Sequence, residues 1–310
     1  MNYSGEGLLL SSVGGRFCVR LFPLPEGPLS GKTVTAPGRK SLHRKGDLLP
    51  GDRVRLSYDE SGENLVIEEI LPRKNFLIRP PMANLDILFA AMAATSPEPD
   101  LCTFDKLLAI AEFHEIEPVV LVTKSDLAPK KAKELAELYR KAGFTAFCLS
   151  SEGKFDFVAL QNYIKTALPG KIAALAGASG IGKSTLLNRI FPDLNLTTDA
   201  LSKKIERGKN TTRRVELYPT SPGADCGYLA DTPGFTLLDF ERFDFFAKED
   251  LPHTFREFGP YLGLCRYTKC SHTKEEGCAI RTAVEAGAIA KSRHDSFCTL
   301  YEILKKKKEW

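Results

Sequence analysis

The sequence predicts a multidomain chain: a small all-β barrel, an α/β core built on a parallel sheet, and a helical carboxyl-terminal segment. Residues 1 to about 71 hold short runs rich in Val, Leu and Phe, separated by turn residues. After Pro72, apolar runs alternate with helical stretches, and from Phe243 the pattern turns helical around a cluster of Cys and His. A length of 310 residues is enough for two or three separate cores.

In the first part, "GRFCVRLF" and "DRVRLSY" read as strands, and the alternation from Arg16 to Leu21 suits a sheet with one buried face. Between them, "PGRKSLHRKGD" is a polar, basic loop. Five or so short strands with such a loop suit an OB-like, oligonucleotide-binding barrel, and an SH3-like barrel with no nucleic-acid role fits the pattern equally well. Residues 1–56 carry nine basic side chains against four acidic ones, although the whole chain has a net charge of only +4. This part could therefore contact an RNA backbone, with Arg39, Lys40, His43, Arg44 and Lys45 as the candidate residues.

The core reads as strand "LDILFAAM", helix "TFDKLLAIAEFHE", strand "PVVLVTKSD", helix "PKKAKELAELYRKAG", strand "TAFCLSS", helix "FVALQNYIKTAL", strand "KIAALAG", helix "KSTLLNRIF" and strand "GADCGYLADTPG". Between the last helix and the strand before it lies GxxxxGK[ST]: Gly177, Ala178, Ser179, Gly180, Ile181, Gly182, Lys183, Ser184, followed by Thr185. Glycines let several backbone amides face phosphates at a helix amino terminus, Lys183 reaches the outer phosphates, and the Ser184 hydroxyl ligates magnesium. In "YLADTPGF", Asp231 follows a strand where a magnesium-shell carboxylate belongs, and Gly234 offers an amide to the terminal phosphate.

The base is indicated by "TKSD", Thr123, Lys124, Ser125 and Asp126, at the carboxyl end of a strand where ligands of open α/β sheets bind. Asp126 can accept two hydrogen bonds from guanine, whereas adenine has no such donor pair and would leave the carboxylate unpaired. A competing role for Asp126 is to cap the helix after Pro129. Because "TKSD" precedes the phosphate loop instead of following it, the core reads as a circularly permuted P-loop GTPase, a rearrangement a sheet survives when its old termini lie close.

Cys265, Cys270, His272 and Cys278 form CxxxxCxHxxxxxC, three sulfurs and one imidazole in a short segment, the ligand set of a closed structural zinc site. Four protein ligands leave no open position for a hydrolytic water. Cys18, Cys102, Cys148, Cys226 and Cys298 are scattered among apolar neighbours and read as buried small hydrophobes. His114, His253 and His294 show no comparable clustering and read as ordinary surface or partly buried residues. No apolar run approaches the roughly 18 residues a bilayer span needs, and "MNYSGEGLLL" lacks a basic region before its apolar run. A cytoplasmic protein with no membrane partner is expected.

With these motifs, and with "MANLDILFAAM" and "CRYTKCSHTKEEGCAIRTAVE", nearly the whole chain resembles the RsgA family (YjeQ/YloQ) of circularly permuted bacterial GTPases that depend on the small ribosomal subunit. The resemblance implies domains at 1–71 (an OB-fold-like RNA-binding barrel), 72–240 (the permuted GTPase) and 241–310 (a zinc-binding helical domain). It implies a protein that is monomeric when free, binds GTP and GDP with Mg2+, and joins the 30S subunit and its 16S rRNA to assist late maturation, with hydrolysis stimulated by the subunit. It also assigns "KNTTR" as the first switch, with Thr211 and Thr212 sensing the terminal phosphate and Thr212 the magnesium, and Ser150 and Ser151 as a second base-contacting loop. Phe235 stands after DxxG, where many GTPases have a water-orienting glutamine, and Asn210 stands where the family usually has histidine. Asparagine can orient water but is no general base near neutral pH. Connectivity further suggests that the zinc-bearing segment, attached just after "DTPGF", shifts with nucleotide state. The alternatives are a GTP-regulated protein-binding scaffold without an RNA partner and a P-loop ATPase with a fortuitous "TKSD".

Overall fold

The computed structural model describes residues 2–23, 29–39, 42, 48–59, 61, 64–78, 80–152, 154–191, 215–221, 226–231 and 247–306, with the backbone alone at Asn2, Val13, Ser184 and Asp231. In chain order these form β1 (Asn2–Val13), β2 (Arg16–Leu21), β3 (Thr33–Pro37), β4 (Arg53–Asp59), β5 (Val66–Ile70), β6 (Phe76–Ile78), β7 (Pro81–Ala83) and β8 (Ile87–Ala93). Then come α1 (Leu101–Phe113), β9 (Glu117–Thr123), α2 (Pro129–Lys141), β10 (Thr145–Cys148), α3 (Phe157–Ala167), β11 (Ile172–Gly177), α4 (Lys183–Ile190), β12 (Glu216–Pro219) and β13 (Tyr228–Asp231). Two 3-10 turns, Leu251–Thr254 and Arg256–Tyr261, precede α5 (Ala279–Glu285) and α6 (Lys291–Lys306). The elements gather into two compact units: Met1–Ile87 with Tyr163–Leu175 and Leu187–Phe235, and Leu88–Asn162 with Ala176–Leu186 and Thr236–Trp310.

In the first unit, β1 to β5 form one antiparallel sheet of order β3-β2-β1-β4-β5. The alternation of β2 does what its sequence predicts: Phe17, Val19 and Leu21 point inward, and Arg16 stays exposed. They join Leu9, Val54, Leu56, Tyr58 and Ile67 in a continuous apolar core. A parallel bridge from Gly38 to Ile67, with the Arg39 amide donating to the Ile67 carbonyl at 3.1 Å, brings the ends of β3 and β5 together. Five strands joined in this order make a partly open Greek-key barrel, the OB-like fold of the two the pattern left open.

Two features of this unit escaped the sequence reading. β6 and β7 form a short antiparallel hairpin, and β12 pairs antiparallel with β13, which itself runs parallel to β11. Of the scattered cysteines, Cys148 and Cys226 are buried as expected, whereas Cys18, Cys102 and Cys298 are only partly covered. Cys102 lies in the first turn of α1. Cys18 lies between the inward-facing Phe17 and Val19, on the opposite side of the strand.

In the second unit, β10 runs parallel to β9, and β9 neighbours β8. β8 is buried along its whole length and β9 everywhere but its first residue, hence runs such as "ILFAAMA" with no polar alternation. Asp100 caps α1 by accepting the Thr103 amide at 3.1 Å. α2 starts on Pro129, whose missing N–H costs nothing at a first helical position, and ends with Arg140 and Lys141 near the carbonyl end of the helix dipole.

Candidate functional site

The predicted phosphate loop follows β11 and runs into α4. A Cβ at Gly177 would stand 2.3 Å from the Ala91 carbonyl oxygen and 2.4 Å from Ile181 Cδ1, so only glycine lets the strand end approach that closely. Gly180 and Gly182 have φ of +77° and +91°, the left-handed region that glycine enters without cost. Ile181 is buried, while Ala178, Ser179, Gly180, Gly182 and Thr185 are exposed, so the loop is pinned by one apolar side chain and presents its backbone outward. Lys183 folds over the loop, its ammonium donating to the Gly177 carbonyl at 2.6 Å and the Ala178 carbonyl at 2.7 Å. Two of its three N–H groups are thereby oriented, leaving a third for a phosphate oxygen. Burial lowers the Lys183 pKa below the usual lysine value.

"TKSD" lies at the carboxyl end of β9 and is tied to this loop. The buried Thr123 hydroxyl stands 2.8 Å from the Ile181 carbonyl and 3.2 Å from that of Met92. Lys124 takes a left-handed φ of +54° and donates to the Ser96 carbonyl. Ser125 is fully buried: its amide donates to Leu149 at 3.0 Å, its hydroxyl to Val122 at 2.9 Å, and it accepts the Leu149 amide at 3.1 Å. Ser150 is buried next to this junction and accepts the Lys154 amide at 3.2 Å; Ser151 is exposed. Asp126 is exposed, and the residue capping α2 is Ala128, which offers no side-chain hydrogen bond. The helix-cap role for Asp126 is therefore not taken up, and its carboxylate stands at the protein surface.

The backbone of Ser184 lies in the first turn of α4, and that of Asp231 ends β13. The side chains of these two residues, together with Asn210, Thr211, Thr212, Gly234 and Phe235, lie outside the described residues. So do Lys40, His43, Arg44 and Lys45 of the basic loop. Arg39 is described, is largely exposed and pairs with Glu68 at 2.6 Å.

The ligand atoms of Cys265, Cys270, His272 and Cys278 lie within 4.8 Å of one another. His272 Nδ1 stands 3.4 Å from the Cys265 sulfur and 3.6 Å from that of Cys278, and these two sulfurs are 3.9 Å apart. Tetrahedral zinc with bonds of about 2.3 Å to sulfur and about 2.0 Å to nitrogen puts its ligands about 3.5 to 3.8 Å apart. The donor set fits a metal ion of that kind. Burial raises the Cys270 thiol to about 12 and also lifts that of Cys278, so the thiolate form calls for a compensating cation. The Ala279 amide approaches the Cys265 sulfur at 3.4 Å, as a donor to a thiolate does. Glu275 closes the loop by accepting from the Ser271 amide at 2.9 Å and from the Thr273 and Lys274 amides at 3.2 Å. Burial raises its pKa, but the donors from Ser271 and Lys274 outweigh it and hold the group at about 2.

Sequence reasoning missed what holds this segment in place. Arg293, in the first turn of α6 and 1% exposed, donates to Asp105 of α1 at 2.6 Å and to Glu257 at 2.7 and 3.1 Å, while Tyr139 of α2 donates to Asp105 at 2.9 Å. Arg256 adds bonds to Glu112 at 2.7 Å and Glu117 at 2.8 Å and lies over the Phe144 ring. His294 also departs from expectation: it is buried, with Nε2 2.8 Å from the carbonyl of His272. Asp105, Tyr139, Glu257 and Arg293 lie in separate stretches of the chain, so no local motif marks them.

The RsgA GTPase family model matches residues 70–241. The small ribosomal subunit biogenesis GTPase RsgA of Caldanaerobacter subterraneus subsp. tengcongensis is 39% identical over 269 residues, covering 86% of this chain and 87% of that protein. The protein of the same name from Moorella thermoacetica is 38% identical over 306 residues, covering 98% of this chain and 99% of its own. Among solved structures, YloQ, described as a circularly permuted GTPase, superposes with a TM-score of 0.77 at 29% identity, covering 99% of this chain and 98% of that one. YjeQ from Thermotoga maritima also reaches 0.77, at 28% identity, covering 99% and 100%. With a phosphate loop, a base-reading loop that precedes it in the chain, and relatives matched over nearly their full length, this chain belongs to the RsgA GTPase family.

Proposed function

We propose that this chain is a GTPase of small ribosomal subunit maturation, which binds the 30S subunit and its 16S rRNA and is stimulated by them to hydrolyse GTP. The observation that carries this is the Thr123 to Ile181 bond of 2.8 Å, which joins a guanine-type loop to a phosphate loop that follows it in sequence. Relatives named for small-subunit biogenesis support the choice of partner. The boundaries 1–71, 72–240 and 241–310 divide the labour into RNA-binding barrel, GTPase and metal-bearing segment; the end of β5 at Ile70 and the family match at 70–241 support them.

In the reaction, a water oxygen bonds to the γ-phosphorus while the bond from that phosphorus to its bridging oxygen breaks, giving GDP and phosphate. Lys183 directs its remaining N–H at the phosphates, and the amides of Gly177 to Thr185 cradle them. Asp126 selects guanine, Lys124 covers the base, and Ser150 and Ser151 border it. Magnesium, held by Ser184, Thr212 and Asp231, neutralises phosphate charge when bound with the nucleotide. Thr211 and Gly234 sense the terminal phosphate, and Asn210 is the water-orienting candidate. A structural zinc ion occupies the Cys265, Cys270, His272 and Cys278 set. Arg39, Lys40, His43, Arg44 and Lys45 meet RNA phosphate. Among the described residues no helix is long and apolar enough to cross a membrane, and the proposed setting is the cytoplasm, with a monomer when free.

The test is phosphate release from GTP and from ATP by the protein alone and with small subunits, large subunits or naked RNA. GTP-specific stimulation by small subunits alone is expected. Equal turnover of ATP would overturn the base assignment, and absence of stimulation would overturn the partner.

A further inference from the structure

Two neighbouring side chains of α6 face different partners. Arg293 is held by Asp105 and Glu257 and covered by the Phe255 ring 4.4 Å away. His294 faces the metal loop instead. Its Nε2 is 2.8 Å from the His272 backbone carbonyl, which can only accept, so Nε2 carries the proton and donates. Nδ1 is then the nitrogen without the proton, and the Cys298 sulfur borders the ring edge, 3.7 Å from Nε2 and 3.9 Å from Nδ1. The ring stacks on Phe297 at 6.2 Å and is bordered by Phe258 at 6.5 Å. Packing and the carbonyl bond therefore fix one orientation and one tautomer.

The residue that receives this bond needs it. His272 has φ of +60°, a conformation that side chains other than glycine rarely adopt unless their surroundings hold them there. That backbone turn accompanies the placement of Nδ1 within 3.4 and 3.6 Å of two cysteine sulfurs. We propose that His294 is a positioning residue for the metal centre, locking His272 in its left-handed conformation through the carbonyl bond, with Arg293 fixing the helix from which it acts. This rests on the zinc assignment made above. Outer hydrogen bonds of this kind usually act on a ligand ring; here the bond acts on the backbone of the ligand, and its loss is expected to cost about 10- to 100-fold in metal retention.

Two substitutions separate positioning from packing. His294→Gln keeps an N–H that can reach the carbonyl but removes the ring, and His294→Phe keeps the ring but has no donor. Full-length proteins loaded with zinc are challenged with a chromophoric chelator, and the release rate is read alongside metal content by elemental analysis. Positioning predicts release accelerated about 10- to 100-fold in His294→Phe and near the parent rate in His294→Gln. The reverse order, or equal rates in both variants and the parent, would overturn the proposal. If the parent itself holds no zinc, the metal assignment fails, an outcome distinct from the first two. Cys298→Ala is expected to retain metal as the parent does, because the short bond to the His272 carbonyl needs no thiol; rapid loss there would assign the role to the thiol instead.

Discussion

In the amino-terminal barrel, Leu9, Val19, Val54, Leu56 and Ile67 are fully buried, while charges meet outside in pairs such as Arg55 with Glu6 and Glu69. Between Leu251 and Lys306 the covered set includes Arg293, His294, His272, Thr254 and Ser296 beside Phe255, Phe258 and Phe297. The barrel wraps a sheet around alternating apolar side chains that need no specific partner, with one buried charge at its edge, Asp52, paired with Arg73 at 2.6 Å. The carboxyl-terminal segment has one helix of 16 residues, one of 7, two 3-10 turns and a loop of cysteines, and it packs buried polar groups against a small aromatic cluster. It is held by directed bonds to charged groups of α1 and β9, and its Cys and His set could add a metal. Such a core is specific, and it fails abruptly when one partner is removed.

The largest break in this comparison is expected from metal removal. Stripping the metal or making Cys278→Ser should abolish amide-exchange protection across about residues 265–300 while β1 to β5 keep theirs, since metal binding supplies about 10–16 kcal/mol of folding free energy in small zinc modules. Retained protection in both regions would show that the segment stands on its aromatic cluster alone. Next comes Arg293→Met, which leaves Asp105 and Glu257 buried without a cation. A loss of about 3–5 kcal/mol is expected in urea unfolding. Adding Asp105→Leu and Glu257→Met should recover much of it, because the cost lies in the unpaired charges. A single Leu56→Ala substitution in the barrel should cost about 2–5 kcal/mol, set by the cavity it leaves, with no partner change able to restore it.

The same contrast explains how much was legible in the sequence. Phe17, Val19 and Leu21 announced a buried sheet face by their period of two, and glycines fixed the phosphate loop because no other residue fits at Gly177. The candidate metal-binding set was readable because three sulfurs and an imidazole fall within one short segment. Arg293 gave no signal: a lone arginine in "KSRHDSF" looks like a solvated helix residue until Asp105, 188 positions away, is brought against it. His294 was passed over for the same reason, since its acceptor is a backbone carbonyl, which no side-chain spacing encodes. β12 and the hairpin of β6 and β7 were missed because strands of three or four residues are too short to show a period.

The smallest expected effect on stability concerns the barrel surface. Arg39 pairs with Glu68 at 2.6 Å, yet its side chain is 61% exposed, so water screens the pair and holding two long side chains in place costs entropy. Arg39→Ala should change unfolding stability by less than about 1 kcal/mol. The same guanidinium stands at the start of the basic loop, and an ion pair this weak gives way readily to a phosphate. If the barrel meets RNA backbone there, the variant binds small subunits more weakly and its salt dependence flattens by the equivalent of about one phosphate contact. An unchanged slope would move the RNA contact away from Arg39 while leaving the stability argument intact, because charges outside a closed apolar core can be altered without reaching it.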